Sequence, residues 1–174
     1  PKLKNLLPDP FVFQDLEKGV NRLAEEVLHS RPIGIFGDYD VDGATSAALI
    51  ANYLEYCGCK TFIHIPDRFL EGYGPNERAL KGLHEKGAEL ILTVDCGISS
   101  FEPLKAMSSV NLDLIVIDHH IPDTVLPPAY AIINPKRIDT QKGYEDLCAA
   151  GVTFIFLIGL NRELRNKGFF KDKK

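Results

Sequence analysis

Short runs rich in β-branched residues recur along this chain at 33–36, 61–65, 89–94, 114–117 and 129–133, the last bracketed by prolines. Stretches of helical period lie between them: 15–28 ahead of the first run, then 43–56, a segment entered at Pro75 and closed at Gly87, and 102–107. Strands joined through helices cannot pair as hairpins, because each crossover returns the chain to the same end of the sheet. The pattern predicts an α/β fold with a mostly parallel sheet of about five strands flanked by helices.

The last third reads differently. A polar loop at 134–146 leads into a helix at 147–164 whose first half, CAAGVTFIFLIGL, is apolar on every side rather than along one stripe. Such a helix needs cover all round, and the polar tail NRELRNKGFFKDKK supplies none. The expectation is therefore a piece of a larger protein, with this helix displaced or self-associated. Its longest apolar run is 13 residues, short of the roughly 18 to 20 that span a bilayer, so no membrane partner is expected. The opening PKLKNLLPDP has no basic-then-apolar leader, and Cys57, Cys59, Cys96 and Cys148 show neither a paired zinc spacing nor the density of a disulfide scaffold. Reduced thiols in a cytoplasm fit these observations. With 20 Lys and Arg against 24 Asp and Glu, the net charge of −4 gives no global field for nucleic acid, so any polyanion must be held locally.

Acidic and imidazole residues gather just after the strand runs, at the end where open α/β sheets place their ligands. The first run leads into Gly37-Asp38-Tyr39-Asp40-Val41-Asp42-Gly43, the third into Asp95-Cys96-Gly97 and the fourth into Asp118-His119-His120. Aspartate is common at strand ends and helix caps, so any one cluster is unremarkable on its own; three on separate parallel strands point to a shared site. Oxygen and imidazole donors without a thiolate pattern favour Mn²⁺ or Mg²⁺. Two such ions sharing a carboxylate would neutralise the cluster and activate water for phosphoester hydrolysis. Thr45 and Ser46, opening the next helix, offer hydroxyls and N–H groups to a phosphate.

The strings GDYDVDGATS, TVDCGI and VIDHH, in that order, resemble the successive motifs of the DHH phosphoesterase superfamily. HIPDRFLEGYGPN, INPKR and LCAAGVTF resemble its RecJ branch, which acts as 5′→3′ exonucleases on single-stranded DNA in recombination and repair. The resemblance covers residues 33–157 and implies a Rossmann-like domain at 31–174 behind an N-terminal helical extension at 1–30. It implies that Asp40, Asp42, Asp95, His119 and His120 hold or adjoin two metal ions, with Asp38 and Asp118 as supporting or direct ligands. It also implies a further metal-binding aspartate and a second domain beyond Lys174, so the chain alone is expected to be nearly inactive. One departure is Cys148-Ala149-Ala150-Gly151, where the family usually has glycine at the second of these positions.

Other residues carry weaker signals. Arg68 is expected to grip a phosphate and Tyr73 to stack on a base or sugar, with Asn76 beside them on the same loop. Lys136 and Arg137 read equally as a phosphate contact or a solvated turn. His64 reads as structural, His29 and His84 as exposed helix residues, and Cys96 as a small buried neighbour rather than a nucleophile. The competing readings are another DHH activity, on short oligoribonucleotides, cyclic dinucleotides or pyrophosphate, and a non-catalytic scaffold. Clustered uncompensated charge argues against the scaffold.

Overall fold

The computed structural model describes residues 7–171. A 3-10 turn at Pro10–Val12 precedes α1 (Leu16–Leu28), β1 (Ile33–Gly37), α2 (Val41–Cys57), β2 (Thr61–His64), α3 (Glu77–Glu85), β3 (Leu90–Val94), α4 (Phe101–Ala106), β4 (Asp113–Ile117), β5 (Ala131–Ile133) and α5 (Ala149–Asn166). All five strands are parallel, in the order β2-β1-β3-β4-β5.

Period 2 along the strands feeds two cores. Ile33 and Ile35 of β1 face α1, α2 and α5, whereas Phe36 faces α3 and α4 with Leu80, Leu83, Ile91 and Val116. β1 and β3 are buried along their whole length, as central strands of a parallel sheet must be; β2, at one edge, is only partly covered. The chain leaves β1 through α2 on one face and β2 through α3 on the other. A crevice therefore opens between the C-terminal ends of β1 and β3, where the strand order reverses.

One helix boundary and one strand differ from the sequence expectation. α3 begins at Glu77 rather than at Pro75, because Asn76 caps it by accepting from the Ala79 N–H at 2.9 Å. β5 starts at Ala131 rather than at Ala129, although the Tyr130 N–H already donates to Leu114 O at 2.8 Å.

A larger correction concerns α5. It is neither displaced nor bare: Val152, Ile155, Phe156, Leu160 and Leu164 are buried, packed against α1, α2 and the Pro10–Val12 turn. Gly159 lets α1 come close, as a Cβ there would lie 2.9 Å from the Leu16 side chain. The cover comes from upstream, from the helix set aside in the sequence as an extension, and from Phe169 and Phe170, which fold back on the same core. Phe154 is the main apolar side chain of α5 left partly open.

Candidate metal centre

Four strands end one residue short of a side chain that matters: Gly37 before Asp38, Val94 before Asp95, Ile117 before Asp118 and Ile133 before Asn134. The ladder runs one step past the strands to hold them, with Asp95 N–H donating to Ile117 O and Asp118 N–H to Ile133 O, each at 3.0 Å. Four side chains are thus set side by side at the ends of four adjacent strands.

After β1 the chain turns sharply into α2. Asp40 is the N-cap and accepts from the Gly43 N–H at 2.9 Å, which holds its carboxyl below the usual value. Only glycine fits at 43, because a Cβ there would sit 2.6 Å from Asp38. Asp38 is buried, and burial, with the charges of Asp40 and Asp118, pushes its carboxyl up.

Asp95 occupies the left-handed region at φ 60°, an uncommon place for a residue with a side chain. Burial, followed by the charges of Asp42 and Asp40, pushes its carboxyl up to about 8. Its Oδ1 is buried without a hydrogen bond, 3.3 Å from His119 Nε2 and 4.0 Å from His120 Nδ1. An unsatisfied buried carboxylate oxygen among acids and imidazoles is the setting a cation completes.

One donor atom each from Asp38, Asp40 and Asp95 lie within 4.8 Å of one another, and so do one each from Asp95, His119 and His120. Asp95 belongs to both groups. The residues therefore fit two hard or borderline divalent ions bridged by one carboxylate, with oxygen donors on one side and imidazole on the other.

Asp118, expected as a supporting or direct ligand, lies in neither group and meets the cluster through His120. Its Oδ1 accepts from His119 N, His120 N and His120 Nδ1, and its Oδ2 accepts from Ile98 N. Burial opposes its ionisation, but the bonds from His120 and the backbone amides outweigh that and hold the carboxyl below its ordinary value. The same hydrogen bond raises the His120 imidazole. With Nδ1 committed, Nε2 is the nitrogen His120 has free.

Asp42 belongs to neither group. Its two oxygens accept from the Ala149 and Ala150 N–H groups, at 2.7 and 2.8 Å, while Oδ2 lies 3.7 Å from His119 Nε2.

The substrate residues expected from sequence divide. Arg68 is exposed, with its guanidinium 5.6 Å over the Tyr39 ring, between Asp38 and Asp40 in sequence. Tyr73 packs edge-on against His120, its hydroxyl 3.4 Å from Nδ1 and 3.3 Å from Asp95 O. Burial, then the nearby acids, pushes that phenol up. Ser46 is fully buried, so it is out of reach of a phosphate, and the Thr45 hydroxyl is spent on Val41 O. Asn76 is committed to its cap and to Glu71.

Arg137 is neither solvated nor free. It is buried and held by Asp15, Asp139 and Ile132 O, tying the loop after β5 to the start of α1. Lys136 stays half-buried near His120, whose imidazole its charge lowers. His64 is structural as expected, stacked on Phe36 and bonded to Glu71, and Cys96 is buried with its thiol pushed up by burial.

Asn134 went unrecognised in the sequence. It is buried, donates to His120 O at 2.9 Å and accepts from Lys136 N, fixing the backbone that carries the imidazole. Its signal was present: a polar residue directly after a strand, like Asp38, Asp95 and Asp118.

Residues 32–172 match the description "DHH family, N-terminal domain". The single-stranded-DNA-specific exonuclease RecJ of Bacillus subtilis is 37% identical over 156 residues, covering 90% of this chain and 20% of the relative. RecJ of Escherichia coli is 38% identical over 159 residues, covering 91% of this chain and 28% of its own length. Among solved structures, exonuclease RecJ bound to manganese superposes with a TM-score of 0.80 at 33% identity, covering 91% of this chain and 39% of that one. RecJ of Thermus thermophilus in complex with Mn²⁺ gives 0.70 at 28%, covering 87% of this chain and 22% of that one. The chain thus spans between a fifth and three tenths of the length of the two curated relatives. A match that runs through nearly every described element and contains all three acidic turns makes the chain a member of the DHH family.

Proposed function

We propose that this chain is the N-terminal catalytic part of a two-metal phosphodiesterase that removes nucleotides from the 5′ end of single-stranded DNA, in recombination and repair, in the cytoplasm. The observation that carries the reading is the pair of ligand groups sharing Asp95 at the C-terminal edge of a parallel sheet. Similarity to RecJ exonucleases, two of them solved with manganese, supports the substrate and the metal.

In this reading Asp38, Asp40 and Asp95 hold one Mn²⁺ or Mg²⁺, and Asp95, His119 and His120 hold the other, with Asp42 at their edge. The ions supply charge neutralisation and Lewis acidity at the scissile phosphate and lower the pKa of bound water. The chain supplies the rest. Asp118 and Asn134 orient the His120 ring, so that an imidazole nitrogen is presented without rotamer search. Arg68, exposed and over the Tyr39 ring, offers its fork of donors to a substrate phosphate. The half-exposed Tyr73 ring offers a face for a terminal base beside the imidazole. The second domain that completes the grip lies in the remainder of the protein.

No helix of the described residues is long and apolar enough to cross a membrane. Calorimetric titration with Mn²⁺ tests the metal reading: the wild-type chain should bind, and Asp95→Ala should lose most of that binding. Retained affinity in the variant would remove Asp95 from the ligand set.

A further inference from the structure

Asp42 serves two structures at once. α5 begins at Ala149, and its own N-cap residue, Cys148, makes no side-chain cap bond. Asp42 takes that place from a distance of more than 100 residues in sequence, accepting from the first two helical N–H groups of α5. The plain alternative is a structural cap, a carboxylate at the positive end of a helix dipole.

Two observations say more. The Asp42 side chain is 23% exposed, open to the solvent from which an ion would arrive, and its Oδ2 points 3.7 Å from His119 Nε2. Each carboxylate oxygen has two lone pairs, and each N–H of α5 uses one. One lone pair per oxygen remains, beside the imidazole of the ligand cluster. The amides of Ala149 and Ala150 thus hold a fourth carboxylate at the rim of the metal groups, with its free lone pairs available to an ion.

We propose that the N-terminus of α5 is a holder for Asp42, so that seating of α5 and metal occupancy are coupled. The proposal rests on the two-metal reading of the cluster. The main chain of Ala149 and Ala150 acts here through Asp42 and touches no substrate. An ion drawing on Asp42 would fix the carboxylate where the α5 amides hold it, and loss of those bonds would let the carboxylate swing from the site.

Ala149 provides an unusually clean test. It is the first helical position, where proline is favoured, and Cys148 before it is extended at φ −74° and ψ 166°, as a residue preceding proline should be. Ala149→Pro therefore suits the helix backbone while removing one N–H and putting a ring carbon where the Asp42 oxygen sits, although Ala149 is fully buried and the larger ring must find room. Ala149→Gly keeps the N–H. Mn²⁺ affinity of the chain should fall about tenfold or more in Ala149→Pro and stay near wild type in Ala149→Gly. Equal affinity in all three would overturn the holder while leaving the metal site intact. A wild type that binds no Mn²⁺ would instead overturn the two-metal reading, and the holder with it. Should Ala149→Pro fail to fold, amide exchange in the wild type decides: Mg²⁺ should slow exchange at Ala149 and Ala150, and unchanged rates at both would overturn the proposal.

Discussion

At the scale of single residues, Asp118 and Asp95 show how neighbours divide one kind of side chain into different tasks. Asp118 is fully buried with both oxygens bonded to protein donors; Asp95 has a buried oxygen with none. Asp118→Asn keeps the shape but turns one acceptor into a donor facing backbone N–H groups. We expect metal affinity to drop about 10- to 100-fold, the usual cost of losing a group that orients a ligand, with no new metal-binding stoichiometry in a Mn²⁺ titration. Asp95 sets a pH dependence. Its carboxyl rises from 3.8 to about 8 on folding, so its contribution to stability is fully present below about pH 4 and is lost as pH rises through about 8. Asp118 moves the other way, and its contribution is lost only as pH falls below 3.8, outside that window. The melting temperature of the metal-free chain should therefore fall between pH 5 and 8. Mn²⁺ should restore it, releasing a proton that buffer-dependent calorimetry can count.

Among the elements, α5 decides how well the chain stands alone. Phe156 is fully buried between the sheet and α1, and truncation to Ala should cost about 3 to 5 kcal/mol, measurable by urea unfolding. Strands and their acidic ends were legible in the sequence because period 2, crossover length and turn residues are local signals. The cover on α5 was not, since it depends on α1 folding across from the far end of the chain, and no local window holds that fact. Thr45 and Ser46 failed for a related reason. Two adjacent residues on a helix point about 100° apart, and only the packed structure shows which faces the core. Asp118 was legible as an important residue but not as one bonded within the protein, because its donors are mostly backbone amides that every sequence contains.

For the molecule as a whole, the charge of −4 and the acids gathered at one end leave little long-range attraction for a polyanion. Grip on a single strand must come from enclosing surfaces, and the chain matches only a fifth to three tenths of the curated relatives' length. Turnover of a 5′-phosphorylated single strand with Mn²⁺ should accordingly be at least tenfold slower for this chain than for the full-length protein. Equal rates would show that the 174 residues are catalytically complete. The left-handed turn at Asp95 carries one more consequence. Asparagine accepts that backbone as readily as aspartate and brings no charge to repel Asp40 and Asp42. At pH 8 and without metal, Asp95→Asn should melt a few degrees higher than the wild type while binding no Mn²⁺. Robustness and activity are then in opposition at this position: variants selected for heat resistance alone would drift toward a tougher, inert protein, and only selection on the reaction keeps the acid in place.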